Sequence, residues 1–166
     1  MKLALRRAIV SGDYDKVVSL LASNTYDLNS LLPVDPEDVP FEHENYPLDL
    51  AITGIRLPLV RLLVEHGADA DIRDYDDKNL LWRIILKMEY TDSDAKFTAL
   101  MDILRFLVDN GLDVNNETYG GATAINEARK IKPSCERNNV LGQYNAFISY
   151  LENRLSDNGG KTKKRD

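Results

Sequence analysis

Two stretches of this chain repeat one another at a fixed interval, and this self-similarity restricts the fold more than any other feature of the sequence. In YPLDLAITGIRLPLVRLLVEHGADADI, residues 46 to 72, a helical apolar pattern (Leu48, Ala51, Ile52) is followed by a second (Leu59, Val60, Leu62, Leu63). Gly67 comes next, suited to the left-handed position that ends a helix. Residues 81 to 115 keep the same order, with Leu81, Ile84 and Ile85, then Ile103, Leu104, Phe106 and Leu107, then Gly111. The first leucines of the two copies, Leu48 and Leu81, stand 33 residues apart. Each copy is a helix pair with an apolar side it cannot bury alone, so the copies must stack to make a core.

The period and the motifs resemble those of ankyrin repeats. YPLDLA stands where that family has its T-P-L-H-x-A signature, and VRLLVEHGADAD is similar to its second helix and following turn. The likeness runs on at lower fidelity in both directions. AIVSGDYDKVVSLL (Ala8 to Leu21) reads as a helix–turn–helix pair with Gly12 at the turn, followed by an irregular TYDLNS. In FLVDNGLDVNNETYGGATAINEA (Phe106 to Ala128), Gly121, Thr123 and Ile125 fall on the signature's glycine, threonine and leucine. The resemblance implies an all-α ankyrin-repeat solenoid of stacked helix–turn–helix units joined by hairpin loops. Its four units lie at about residues 1–29, 41–73, 74–117 and 118–155.

Departures from the period predict where the stack is unusual. Leu81 to Ile125 spans 44 residues, and the surplus lies around KMEYTDSDAK. Asp92 or Ser93 can cap a new helix there, after which Phe97, Leu100, Met101, Leu104, Leu107 and Val108 share one face. The extra residues therefore lengthen both helices of the third unit. After IKPSCERN, read as a connection carrying an exposed or half-buried Cys135, Val140, Leu141, Tyr144, Phe147, Ile148, Leu151 and Leu155 also keep helical spacing. The last two units thus have elongated helices that pack together. SLLPVDPEDVPFEHEN, residues 30–45, has three prolines and five carboxylates and predicts a long, acidic, extended connection. Residues 156–166 lack periodicity and read as a disordered tail. Polar outer faces are expected at the ends, from Arg6, Arg7, Asp13, Asp15 and Lys16 and from Glu152, Asn153 and Arg154.

The formal charge is −6, and the last ten residues carry four bases and two acids, leaving −8 on the remainder. Such a body repels nucleic acid and anionic membrane and attracts basic proteins. No stretch approaches the roughly 18 apolar residues of a membrane span, and Arg6 and Arg7 interrupt the apolar run that a signal peptide needs. A cytoplasmic, monomeric protein is the expectation.

Little in the chain points to chemistry. One cysteine forms no internal disulfide, and two histidines, His43 and His66, fall short of a zinc site. FEHEN lacks the H-E-x-x-H spacing, and Asp71, Asp74, Asp76 and Asp77 lack the glycine and distant glutamate of a calcium loop. GGKTKK has no strand before it or helix after it, so it is no phosphate-binding loop. No enzyme, cofactor or metal is expected. The resemblance implies instead a concave face made by hairpin tips and inner helices. Carried over, that face presents Glu42, His43 and Asn45, then Tyr75, Asp76 and Lys78 with Lys87 further along, and Tyr119 at the last hairpin. Trp82 takes the place of the signature's histidine, which bonds between repeats. It either fills space between the longer helices or touches the partner. The resulting expectation is a non-catalytic adaptor or inhibitor holding a basic protein. The alternatives are an immunity protein that neutralises a toxin and a host-directed effector or scaffold.

Overall fold

A computed structural model describes residues 1–23, 25–35 and 45–158. The described residues fold into helices α1 (Lys2–Ser11), α2 (Tyr14–Ser23), α3 (Pro47–Thr53), α4 (Leu57–Glu65), α5 (Leu80–Glu89), α6 (Asp94–Asp109), α7 (Ala124–Lys130), α8 (Lys132–Arg137) and α9 (Leu141–Asn158). The only β pairing among them is two isolated bridges, Leu32 with Asn45 and Glu117 with Thr123. Helices α1, α3, α5 and α7 pack in sequence as an inner row, and α2, α4, α6 and α9 as an outer row. The core, including Leu48, Ile52, Leu63, Leu81 and Ile84, lies between the rows and continues through every pair.

Three pairs turn the chain in the same way. Asp13 N donates to Ala8 O (3.0 Å), Arg56 N to Ala51 O (3.0 Å) and Val140 N to Cys135 O (2.9 Å), each reaching back over a residue at positive φ. Those residues are Gly12 (77°), Ile55 (54°) and Asn139 (58°). Closing the last turn this way satisfies carbonyls that the helix end leaves free. At Gly12 a second constraint applies, because the Arg56 guanidinium lies where a Cβ would stand and donates to Ile9 O.

The third pair is longer in both helices. α5 has 10 residues against 7 in α3, and α6 has 16 against 9 in α4. Ser93 is the extended N-cap of α6, although its side chain makes no capping bond. α9 reaches 18 residues, past Leu155 to Asn158. The long helices meet through Phe97 and Phe147, both fully buried, edge to face with centroids 6.3 Å apart.

Two expectations are corrected. Cys135 is fully buried in α8 and not on a connecting loop. Pro133 occupies the first turn of that helix, where proline's missing N–H costs nothing and its fixed φ favours the helix. Arg6 is also fully buried, whereas Val10, Tyr14 and Val18 of the first pair are exposed at 41%, 43% and 38%. The start of the connection after α2 is tied down: buried Asp35 pairs with Arg7, and Leu32 N donates to Asn45 O (2.9 Å). Residues 36–44 and 159–166 lie outside the described residues. The extended form of the acidic connection, Glu42, His43 and most of the tail fall there.

Candidate partner-binding face

Two hairpins, residues 68–79 and 112–123, precede the inner helices of the third and fourth pairs, and their polar side chains bind them to each other. Asn79 caps α5 by accepting from Leu81 N (3.2 Å) and donates to Asp71 and to Asp113 O, both at 2.7 Å. Asn116, almost wholly buried, accepts from Asn79 N (3.1 Å) and from the Trp82 indole N–H (2.7 Å), and donates to Asp77 O (2.7 Å). Trp82 thus makes a bond between successive repeats with its indole while its ring stays partly exposed. The ring packs against the core and its remaining surface lines the cleft described next.

A cleft of about 1180 Å³ opens against these hairpins and the outward face of α5. Asn45 and Tyr46 line one side, and Trp82, Arg83, Leu86 and Glu89 form the α5 wall. Tyr75 and Tyr119 occupy equivalent places on the two hairpins, eight residues beyond Gly67 and Gly111 respectively. They are 87% and 79% exposed, so each holds a large amphipathic ring in solvent at the cleft mouth. Tyr46 lies deeper, donating to Arg73 O (3.4 Å). Burial raises its pKa, and neighbouring Tyr75 and Asp74 push the same way.

Of the residues expected at the face, Asn45, Tyr75, Asp76, Lys78, Trp82 and Tyr119 line the cleft. Lys87 does not. One residue beyond Leu86 is a rotation of about 100° around a helix, so the cleft wall follows 82, 86 and 89 and passes Lys87 by. Sequence reasoning missed Arg83, Leu86 and Glu89. Leu86 and Glu89 fall at i+4 and i+7 from Trp82, and Arg83 is three residues before Leu86 on the same side of the helix.

Five carboxylates line the cleft (Asp49, Asp74, Asp76, Glu89 and Glu127) against two cations, Lys78 and Arg83. Most are already engaged. Asp49 pairs with Arg83 across α3 and α5, and Asp76 with Lys78 (2.9 Å). Asp74 accepts from the backbone N–H groups of Asp76 (2.9 Å) and Lys78 (3.0 Å). Asp71 and Asp77, just outside, bind Arg73. The aspartates that superficially suggest a calcium loop therefore shape the hairpin. Among the described residues, no three His, Cys, Asp or Glu side chains stand together as metal ligands. His66 ends α4 with Nδ1 2.8 Å from Leu62 O. Burial, assisted by Glu89, pushes the Cys135 thiol up to about 11. No described helix is long and apolar enough to cross a membrane.

Stacked helix pairs joined by hairpins define an all-α solenoid. Residues 43–75 match the ankyrin repeat family. The chain is similar to ankyrin repeat protein FPV014 of Fowlpox virus (strain NVSL), at 25% identity over 125 residues. That match takes in 75% of this chain and 24% of the viral protein, so the chain spans about a quarter of its relative's length. The fold is similar to the crystal structure of the ankyrin repeat domain of Bcl-3, a member of the IkappaB protein family. The TM-score is 0.52 at 22% identity, over 80% of this chain and 50% of that one. Residues 43–75 are thus similar to an ankyrin repeat, and the described helix pairs stack as ankyrin repeats do.

Proposed function

We propose that this chain is an acidic adaptor or inhibitor, a monomer that receives a basic protein in the cleft on the hairpin side of its stack. The observation that carries the reading is the pair of nearly fully exposed tyrosines, Tyr75 and Tyr119, at the mouth of a cleft with more carboxylates than cations. Tyrosine rings bury large area for little lost side-chain entropy, which makes them natural binding anchors. The excess negative charge supplies attraction at longer range. No reaction is assigned to the cleft; ankyrin folds are typically non-catalytic.

Affinity capture with the whole chain and with a Tyr75→Ala/Tyr119→Ala variant, at low and high salt, tests the reading. The expected result is a basic protein held by the parent at low salt, depleted at high salt and lost with the variant. For that partner, the association rate should fall steeply with ionic strength. Retention indifferent to both salt and the tyrosines would move the interface elsewhere.

A further inference from the structure

The cleft is not uniform along α5. At the hairpin end Tyr75, Tyr119 and Trp82 present aromatic surface, and Lys78 lies over the Trp82 ring (5.7 Å). In the middle Leu86 is 42% exposed. At the far end stands Glu89, whereas Glu127 lies in the first turn of α7. Glu127 touches Lys130 (2.6 Å) on the solvent side. Glu89 differs: its half-buried carboxylate accepts no hydrogen bond and forms no ion pair with any described residue. It is also the last residue of α5, where the helix dipole presents its negative end. Arg137 lines a small neighbouring cleft with Glu89 but donates to Ser134, so this partly desolvated anion has no ion-pair partner among the described residues and gains from a cation that docks beside it.

Resting on the reading of the cleft as the interface, we infer that its occupant is an extended peptide segment carrying an apolar or aromatic residue and, three positions away, a lysine or arginine. The apolar side chain packs among Trp82, Tyr75 and Tyr119, and the cation sits at Glu89. The spacing comes from geometry. Seven residues separate Trp82 from Glu89 on one helix face, a rise of about 10 Å, and an extended chain covers that distance in about three residues at ~3.3 Å each. The internal ion pairs Asp49–Arg83 and Asp76–Lys78 leave the Glu89 end as the place where a cation gains most.

Selecting a random linear 12-residue peptide library on the whole chain tests this inference. Enriched peptides should share the apolar–x–x–Lys/Arg spacing. Glu89→Gln, which keeps shape and removes charge, should weaken them about tenfold, the scale of one charge-assisted bond at a half-buried site. Replacing the peptide's basic residue by glutamine should abolish that sensitivity. Peptides that depend on Tyr75 and Tyr119 but lack the basic residue, or ignore Glu89→Gln, would overturn the inference and leave the cleft as the interface. Peptides indifferent to the Tyr75→Ala/Tyr119→Ala variant would overturn the cleft reading itself. Failure to enrich any peptide would exclude an extended segment as the occupant.

Discussion

Single residues in this chain are constrained by what they touch as much as by their own conformation. Gly12 and Gly67 both hold positive φ, at 77° and 94°, but only Gly12 has a neighbour where a side chain would go. Gly67→Ala should therefore cost about 1 kcal/mol, the strain of a left-handed alanine. Gly12→Ala should cost more, because the Arg56 guanidinium must also leave Ile9 O. Paired urea denaturation curves would show the order. Cys135 gives a pH-dependent counterpart. Its thiol titrates near 11 in the fold against 9.0 when unperturbed, because burial disfavours the thiolate. The stability tied to the neutral thiol is complete below pH 9 and is lost as pH rises towards 11. Tyr144, also raised chiefly by burial, acts in the same direction. Alkylation of the native protein at pH 8 should be slow, and unfolding in denaturant should release it.

At the scale of elements, the hairpins are held by side chains and hardly at all by strand pairing. Asn116 satisfies Asp77 O, Asn79 N and the Trp82 indole together. Asn116→Ala leaves these buried groups unmet and should cost about 2–4 kcal/mol. Trp82→Phe, which gives up the N–H and part of the ring, should cost less, about 1–2 kcal/mol. Calorimetry on the two variants would separate them. The sequence displayed the helices because apolar periodicity is a local signal: Leu48 to Leu81 and the face from Phe97 to Val108 could be read directly. The network was not legible, since Asn116 meets Asn79 and Trp82 across more than thirty residues and nothing local marks its burial. Charge misled at Arg6, which tertiary packing buries, and proline misled at Cys135, where it opens a helix. The cleft was half legible. Hairpin positions such as Tyr75 and Tyr119 follow from the repeat, but the exposed face of α5 depends on which side its neighbours cover.

The whole molecule is uneven along its axis. Its outer helices have 10, 9, 16 and 18 residues in chain order, and the two longest share the Phe97–Phe147 contact. In a stack where each pair leans only on its neighbours, local stability follows local contact. Amides of α1 and α2 should exchange with deuterium first and those of α6 and α9 last, which hydrogen exchange followed by mass spectrometry would order. A partner seated in the cleft would then rest mainly on the slow-exchanging half, because α5 and the hairpins on either side of it belong to the pairs braced by the long helices. The first pair could open and close without releasing its cargo, so a pull on the leading end would be absorbed as reversible fraying there before it reached the grip.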